Sequence, residues 1–195
     1  MNDILALPAG PLAEASLSVV TATESKLIAH HSIRSFLYAR LLADQEGSRH
    51  DAAYDENLLF AACVLHDLGL GTLAPGNARF EVEGADLAAS LLTEHGVAAP
   101  DVDRVWEAIA LHSSLGIADR RGLLTYLTHK GVFTDGGRFT DIPAAQLEPV
   151  RAAYPRPAGD TSIRDAIVKH ASRSKAAAPP HSIAADLLRQ RQAQT

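Results

Sequence analysis

A histidine and an aspartate stand side by side at the end of the apolar run "FAACVL" in the stretch "FAACVLHDLGLG". Removing water from a carboxylate is costly, so a buried aspartate is normally paired with a cation or bound to a metal. Adjacent residues of an α-helix point about 100° apart, so His66 and Asp67 can both reach one ion near the end of their helix. The alternative is that Asp67 pairs with an arginine such as Arg34, or caps a neighbouring helix.

The chain has nine histidines, and most of them are not expected to bind a metal. His50, His129 and His170 have polar neighbours, and we predict that they face solvent. His95 stands near the end of a predicted helix, where an imidazole can bond the last carbonyl groups. His181 is predicted to cap the last helix.

Apolar residues recur at helical spacing along nearly the whole chain, and no alternating run of strand length occurs. The pattern therefore predicts an all-α fold. Thr23 is the predicted N-cap of a long helix, and Gly131 is predicted to end a later one. The first 20 residues or so and the segment 154–160 are predicted to be coil. The predicted helices cover 23–47, 55–69, 82–96, 99–116, 120–131, 143–154, 161–177 and 181–194.

Length and charge exclude several classes of protein. A chain of 195 residues suits one domain with a full-sized core. The net charge of −5 gives no basic surface for nucleic acid. Nothing in the sequence approaches the roughly 18 apolar residues of a membrane span, and no signal peptide is visible. Because Cys63 is the only cysteine, we expect a reduced compartment and predict a cytoplasmic protein.

Five motifs place these residues in a wider pattern. "HHSIRSFLYAR", "AACVLHDLGL", "RFEVEGADLAASLL", "VWEAIALHSSLGIAD" and "GVFTDGG" occur in this order. Together they resemble the HD-domain superfamily of metal-dependent hydrolases and, more narrowly, its cyanamide hydratase-like branch. The resemblance implies a single helical bundle with a metal site between central helices. It places an N-terminal extension, partly coil, at 1–20, the HD domain at 21–140 and a helical extension packing on the domain at 141–195.

The resemblance also implies the metal ligands. They are His31, His66, Asp67 and Asp135. His31 is preferred to its neighbour His30 because it begins "HSIR", although helical spacing alone does not decide between them. Asp119 or Asp141 could replace Asp135, since "TDGG" departs from the apolar residue usual after that aspartate.

The same pattern predicts one cation and not two. Phe80 stands where many HD proteins have a second-site histidine, and phenylalanine cannot ligate. His112 is therefore free to act as an acid/base or substrate-binding group; otherwise it is a buried histidine bonded to a carbonyl. The predicted cofactor is one divalent transition metal, with Zn²⁺ favoured over Fe²⁺ and Mn²⁺ also compatible.

Two further charged residues are candidates for the catalytic site. Glu83 would orient a ligand or a water molecule, or else be a surface carboxylate in the first turn of its helix. Arg34 would hold Asp67 or Glu83, or bind an anionic substrate.

Three functions fit these residues. The first is hydration of a nitrile-type carbon in a small molecule by a metal-bound hydroxide, as in cyanamide hydratases. The second is hydrolysis of a nucleotide or another small phosphate ester, for which Arg34, Arg79, Arg120 and Arg121 offer cations. The third is a metal-stabilised binding module. The apolar stretch 182–188 is expected to pack either on the core of the same chain or on a partner. The sequence is therefore compatible with a homo-oligomer.

Overall fold

A computed structural model describes residues 4–139 and 142–194, and within these residues the chain is helical without a β-strand. The all-α prediction is confirmed. The α-helices are α1 (Pro11–Thr23), α2 (Lys26–Gln45), α3 (Glu56–Leu65), α4 (Phe80–Glu94), α5 (Ala99–Leu111), α6 (Leu123–Asp135), α7 (Ala144–Ala153), α8 (Ser162–Ala171) and α9 (Ile183–Gln192).

Helices α2 and α3 form the centre of the bundle. Every residue of α3 from Leu58 to Leu65 is buried, as its unbroken apolar sequence predicts for a helix covered on all sides. Helix α2 packs along α3 and along α6. The two central helices therefore bring the end of α3 and the first half of α2 into the interior, where polar side chains must find partners.

The beginning of the chain differs from the prediction. Residues Pro11–Thr23 form helix α1, with Pro11 in its first turn, where the missing N–H of proline is tolerated. Thr23 ends this helix and does not cap the next one. Ser25 is the N-cap of α2 instead, because its side chain accepts a hydrogen bond from the Ile28 N–H.

Gly131 was predicted to end a helix, and this was wrong. Helix α6 continues through it to Asp135. A Cβ atom at position 131 would collide with the Ser35 carbonyl and press on Ala39, both in α2. The glycine is therefore a point where two helices approach closely, and a sequence alone does not distinguish this use from a helix stop.

The last two helices pack on the rest of the chain. Ile167 and Ala171 of α8 and Ala184 of α9 form a small apolar cluster with Phe80 of α4. Ser182, and not the predicted His181, caps α9 by accepting a hydrogen bond from Ala185 N–H. In the described part of the chain, none of the helices is both long and apolar enough to span a bilayer.

Candidate metal centre

The short turn after α3 sets the position of the His-Asp pair. Helix α3 ends at Leu65, and a 3-10 turn follows at Leu68–Leu70. Gly69 in this turn lies so close to the Phe80 carbonyl that a Cβ atom there would overlap it. The turn is thus pressed against the first turn of α4. It holds His66 and Asp67 at the end of α3, where His66 faces His31 of α2.

Three side chains meet at this point. One ligand atom each of His31, His66 and Asp67 lies within 4.8 Å of the others, and all three residues are buried. The two Nε2 atoms of the histidines are 3.2 Å apart. Oδ2 of Asp67 is 3.3 Å from Nε2 of His66 and 3.8 Å from Nε2 of His31.

The hydrogen bonds at the far side of each ring fix which nitrogen carries the proton. Nδ1 of His66 donates to the Cys63 carbonyl at 2.7 Å, and Nδ1 of His31 donates to the Asp135 carboxylate at 2.6 Å. Each Nε2 in the neutral ring therefore presents a lone pair toward the other. Two lone pairs at this separation repel each other unless a proton or a metal cation lies between them.

The carboxylate of Asp67 faces both imidazoles, but one of its oxygens has no hydrogen-bond partner among the described residues. This oxygen, Oδ2, is buried. Burial alone would raise the pKa of Asp67, but attraction to His66 and His31 holds it well below its usual range. In return, Asp67 outweighs the effect of burial on His66 and raises the pKa of that imidazole. Two imidazoles and an ionised carboxylate at one point fit a divalent transition metal.

A second carboxyl group lies near Asp67. Both carboxylate oxygens of Glu24, between α1 and α2, are buried without a hydrogen bond in the described residues. Burial, and then the negative charge of Asp67, raise the pKa of Glu24 well above its ordinary value. This group was not predicted, because a glutamate next to a helix cap is usually solvent-exposed.

Asp135 contacts the histidine rather than the other ligand atoms. Its carboxylate accepts the His31 Nδ1–H and, at 2.6 and 2.8 Å, a forked pair of hydrogen bonds from Nε and Nη2 of Arg34. Arg34 also donates to the Tyr154 carbonyl at 2.9 Å. Burial would raise the pKa of Asp135, but Arg34 and His31 lower it below its usual range. A carboxylate behind a ligating imidazole orients the ring and increases its basicity.

These contacts correct the partner predicted for Arg34. They do not test whether Asp135 is a metal ligand. Arg34 holds Asp135, and not Asp67 or Glu83. That Asp135 is itself a ligand stays a prediction. Of its two alternatives, Asp119 lies 3.5 Å from Nε2 of the buried His129, and Asp141 is outside the described residues. His30 lies outside the cluster, with its ring against Tyr154.

His112 lies beside the cluster. Its ring centroid is 4.7 Å from that of His66 and 5.7 Å from that of Phe80. Nδ1 donates to the Ile109 carbonyl at 2.7 Å, so Nε2 of the neutral ring carries a lone pair. Burial, and then the proximity of His66, lower the pKa of His112 to about 4. The sequence analysis had two alternatives for His112, a place in the site or burial with a hydrogen bond to a carbonyl. The structure shows His112 both beside the cluster and bonded to a carbonyl.

Glu83 lies in the first turn of α4, as predicted, but it is not a surface carboxylate, and its role in orienting a ligand or a water molecule stays a prediction. It is buried, and its carboxylate accepts hydrogen bonds from the backbone N–H groups of Gly76, Asn77 and Ala78, which fixes the loop before α4. The other glutamate of "FEVEG", Glu81, lies closer to the chemistry: it accepts a hydrogen bond from Ser113 Oγ at 2.5 Å.

The sequence prediction named Glu83 and did not consider Glu81. Residues two apart on a helix point about 200° apart, so only one of them can lie on the site side. Burial would raise the pKa of Glu81, but Arg79 and His112 keep it below its ordinary value.

Two of the histidines predicted to face solvent are buried. His129 donates its Nδ1–H to the His112 carbonyl, and His170 bonds the Ala78 carbonyl through Nε2. Lys169, next to His170, is exposed, whereas Thr128, next to His129, is itself buried. His50 is exposed, as predicted, and His95 is exposed with Nδ1 bonded to the Leu91 carbonyl near its helix end.

A cavity of about 460 Å³ opens from the cluster. We call His31, His66, Asp67 and His112 the floor of the cavity, and Arg138, Arg156 and Arg164 its mouth. Apolar side chains form much of the wall between them: Phe80, Val132, Phe133, Ile163, Ile167, Ile183 and Leu187. The arginines of the mouth and the wall residues of α8 and α9 were not predicted, because spacing in the sequence does not show which surface they cover.

Comparison with known protein families agrees with this geometry. The sequence model of the HD domain family matches residues 28–177, which include every residue of the floor. No curated protein matches the chain. The family match runs past residue 140, into the predicted C-terminal extension, and the predicted domain boundaries stay a prediction. The chain belongs to the HD domain family.

Proposed function

We propose that this HD-domain protein is a single-metal hydratase of small molecules, which adds water to a nitrile-type carbon as cyanamide hydratases do. Members of the family are typically metal-dependent hydrolases, and the cluster at the floor fits a divalent cation. The observation that carries the narrower proposal is Phe80. It lies in the wall of the cavity beside His112, where a second cation would need a ligand.

His31, His66 and Asp67 would hold the cation, with Zn²⁺ favoured over Fe²⁺ and Mn²⁺ also compatible. When bound, it supplies a water molecule of lowered pKa and polarises the substrate. Arg34 and Asp135 keep the Nδ1 proton of His31 in place, and the Cys63 carbonyl does the same for His66. The chain thus holds both Nε2 lone pairs in position before any substrate enters.

His112 is the proton carrier in this proposal. Because its pKa lies at about 4, the ring is neutral at pH 7 and accepts a proton at Nε2 from the attacking water. A C–O bond forms, one π bond of the C≡N group breaks, and the imidazolium returns the proton to the nitrogen. The resulting imidic acid then tautomerises to an amide, or to urea when the substrate is cyanamide.

Ser113 is a candidate for orienting the substrate. It lines the cavity next to His112, and its hydroxyl proton is donated to Glu81. The oxygen of Ser113 therefore keeps lone pairs that can accept an N–H group of the substrate. Arg79 in turn holds Glu81 at 2.7 Å.

Hydrolysis of a phosphate ester is the second candidate, and one observation favours it. Three arginines line the same cavity as the cluster. They are not the arginines that the sequence suggested: Arg34 is bound to Asp135, Arg79 to Glu81 and Arg121 to Glu107.

Two measurements test the proposal. Elemental analysis of the purified protein is expected to find about one Zn or Fe per chain. The loaded protein is then assayed for urea formed from cyanamide and for phosphate released from nucleoside monophosphates. Urea without phosphate supports the proposal. Phosphate without urea overturns it in favour of the second candidate. A bound metal with no product from either compound, and none from a nitrile-bearing carboxylate, indicates a binding module.

A further inference from the structure

The mouth of the cavity concentrates positive charge. Arg138 follows α6, Arg156 lies between α7 and α8, and Arg164 is in the first turn of α8. All three are exposed, yet all three line the cavity that ends at the metal cluster. Three separate segments thus deliver a guanidinium group to one opening, in a chain whose net charge is −5.

Acidic groups neutralise only part of this charge. Asp160 lines the same cavity, with Oδ2 3.8 Å from Nε of Arg156 and Oδ1 accepting the Ser162 N–H. Arg156 also donates to the Asp135 carbonyl oxygen at 3.1 Å. Arg138 packs over the Phe133 ring, and the Arg164 guanidinium makes no ion pair or hydrogen bond with the described residues. The carboxylate of the adjacent Asp165 is bound by Arg191 and Thr161 instead.

Helix α8 adds to the same effect. Thr161, Ile163 and Arg164, at its N-terminal end, line the cavity. The N-terminus of a ten-residue helix carries a partial positive charge that favours anions. Guanidinium groups bind carboxylate and phosphate oxygens through paired hydrogen bonds.

The apolar wall of the cavity separates the arginines of the mouth from the metal cluster at the floor. A volume of about 460 Å³ is far larger than a molecule of a few atoms requires. Between floor and mouth the wall is largely apolar, and Phe80 and Leu187 are part of it. A ligand that fills the cavity therefore needs a polar reacting group at one end, an apolar middle and a negative charge at the other end.

We propose that the substrate is a small organic anion whose charged group is bound by Arg138, Arg156 and Arg164, away from the reacting group at the floor. This inference rests on the proposed function, which places the reacting carbon at the metal cluster. It differs from the phosphate-ester candidate, in which the anionic group itself would lie at the cluster and react.

Matched ligands test the inference by binding alone. The metal-loaded protein is titrated calorimetrically with ω-cyano carboxylates of increasing chain length and with the corresponding primary amides, which have nearly the same shape but no charge. We expect at least one carboxylate to bind about five- to twentyfold more tightly than its amide at low salt, and the advantage to shrink as salt is added. Equal affinities along the whole series would overturn the inference.

Variants locate the charge that is responsible. Arg164→Gln is expected to remove most of the advantage of the carboxylate and to leave amide binding unchanged, whereas Arg164→Lys retains part of it. Arg104→Gln is the control, because Arg104 pairs with Asp101 on α5, outside this cavity. An equal loss in the Arg104 variant would mean that only overall charge matters, which contradicts the inference.

The outcomes separate the inference from the proposed function. Tight, Arg164-dependent binding of the carboxylate without amide formation would leave the anion site standing and refute the hydratase. Hydration of neutral nitriles with no preference for the anion would support the hydratase and refute the anion site. An alkylphosphonate whose binding ignores Arg164→Gln but disappears in Asp67→Asn would place the anion at the floor and overturn the inference.

Discussion

At the floor of the cavity, His66 is fully buried and bonded to a backbone carbonyl, while at the mouth Arg138 and Arg164 are exposed. The floor comes from the centre of the bundle, where each ring has a fixed proton position. The mouth comes from segments after α6, where long side chains can follow a ligand. In the proposed function, the buried groups of the floor carry out the reaction and the exposed arginines of the mouth select the substrate.

The largest effect is expected from the floor itself. Asp67→Asn keeps the shape of the side chain but removes the charge that faces both imidazoles, so bound metal and activity should be lost, the latter by at least about a hundredfold. Elemental analysis and the cyanamide assay measure the two effects. His95→Ala, which changes an exposed histidine just after α4, should alter neither. Full metal occupancy in the Asp67 variant would refute the assignment.

His112→Gln should retain the metal and lower kcat, since it removes the proton carrier but none of the three cluster residues. A loss of about a hundredfold is expected from general acid–base catalysis. In the native protein the neutral ring is the active form, so kcat/KM should fall as pH drops through a value at or below about 4. The variant should lack this acid limb. If the metal is lost as well, His112 is a ligand.

Asp135→Asn tests the support of the floor. It weakens the hydrogen bond to His31 and leaves the buried Arg34 without its charged partner, so metal affinity should fall by about ten- to a hundredfold and the protein should be destabilised. Competition with a chelator and thermal unfolding measure these changes. X-ray absorption on the loaded native protein decides whether an Asp135 oxygen is also a ligand, as the sequence predicts.

Glu24→Gln should have the smallest effect of these variants. It should stabilise the fold, whereas Asp135→Asn should destabilise it. In the native fold the pKa of Glu24 is raised, so the folded state retains a proton that the unfolded chain releases above about pH 4.5. Its contribution to stability therefore falls as pH rises above that value. Removing the charge should stabilise the metal-free protein at pH 8 by about 1–2 kcal/mol, measured by denaturant unfolding. Glu14→Gln, an exposed position on α1, serves as the control.

The floor was more predictable than the mouth for a physical reason. His66 and Asp67 interrupt an apolar run, and an interruption of this kind needs a compensating partner wherever the helix packs. The family resemblance supplied His31, whereas apolar residues at helical spacing predicted the all-α fold. Arg138, Arg156 and Arg164 do not interrupt an apolar run, since they lie in loops and in the first turn of a helix, where charged residues are common. Only the folded chain shows that they meet.

Local ambiguities account for the remaining differences. Glu81 and Glu83 are equally polar, and the phase of α4 decides which of them lies near Ser113. His129 and His170 have polar neighbours but face inward, because burial depends on the helix face and not on adjacent residues. Helix α1 was missed because its short, mixed sequence is stabilised by packing on α3.

The close approach of α6 to α2 at Gly131 has a consequence for the evolution and engineering of this protein. Gly131 lies one helical turn before Asp135, and the backbone it faces, at Ser35, lies one turn after His31. The gap between an imidazole and its carboxylate is thus dictated by the absence of a side chain at a position that performs no chemistry. Even an alanine there would push α6 away from α2, and we expect it to weaken metal binding at the floor although no ligand is changed.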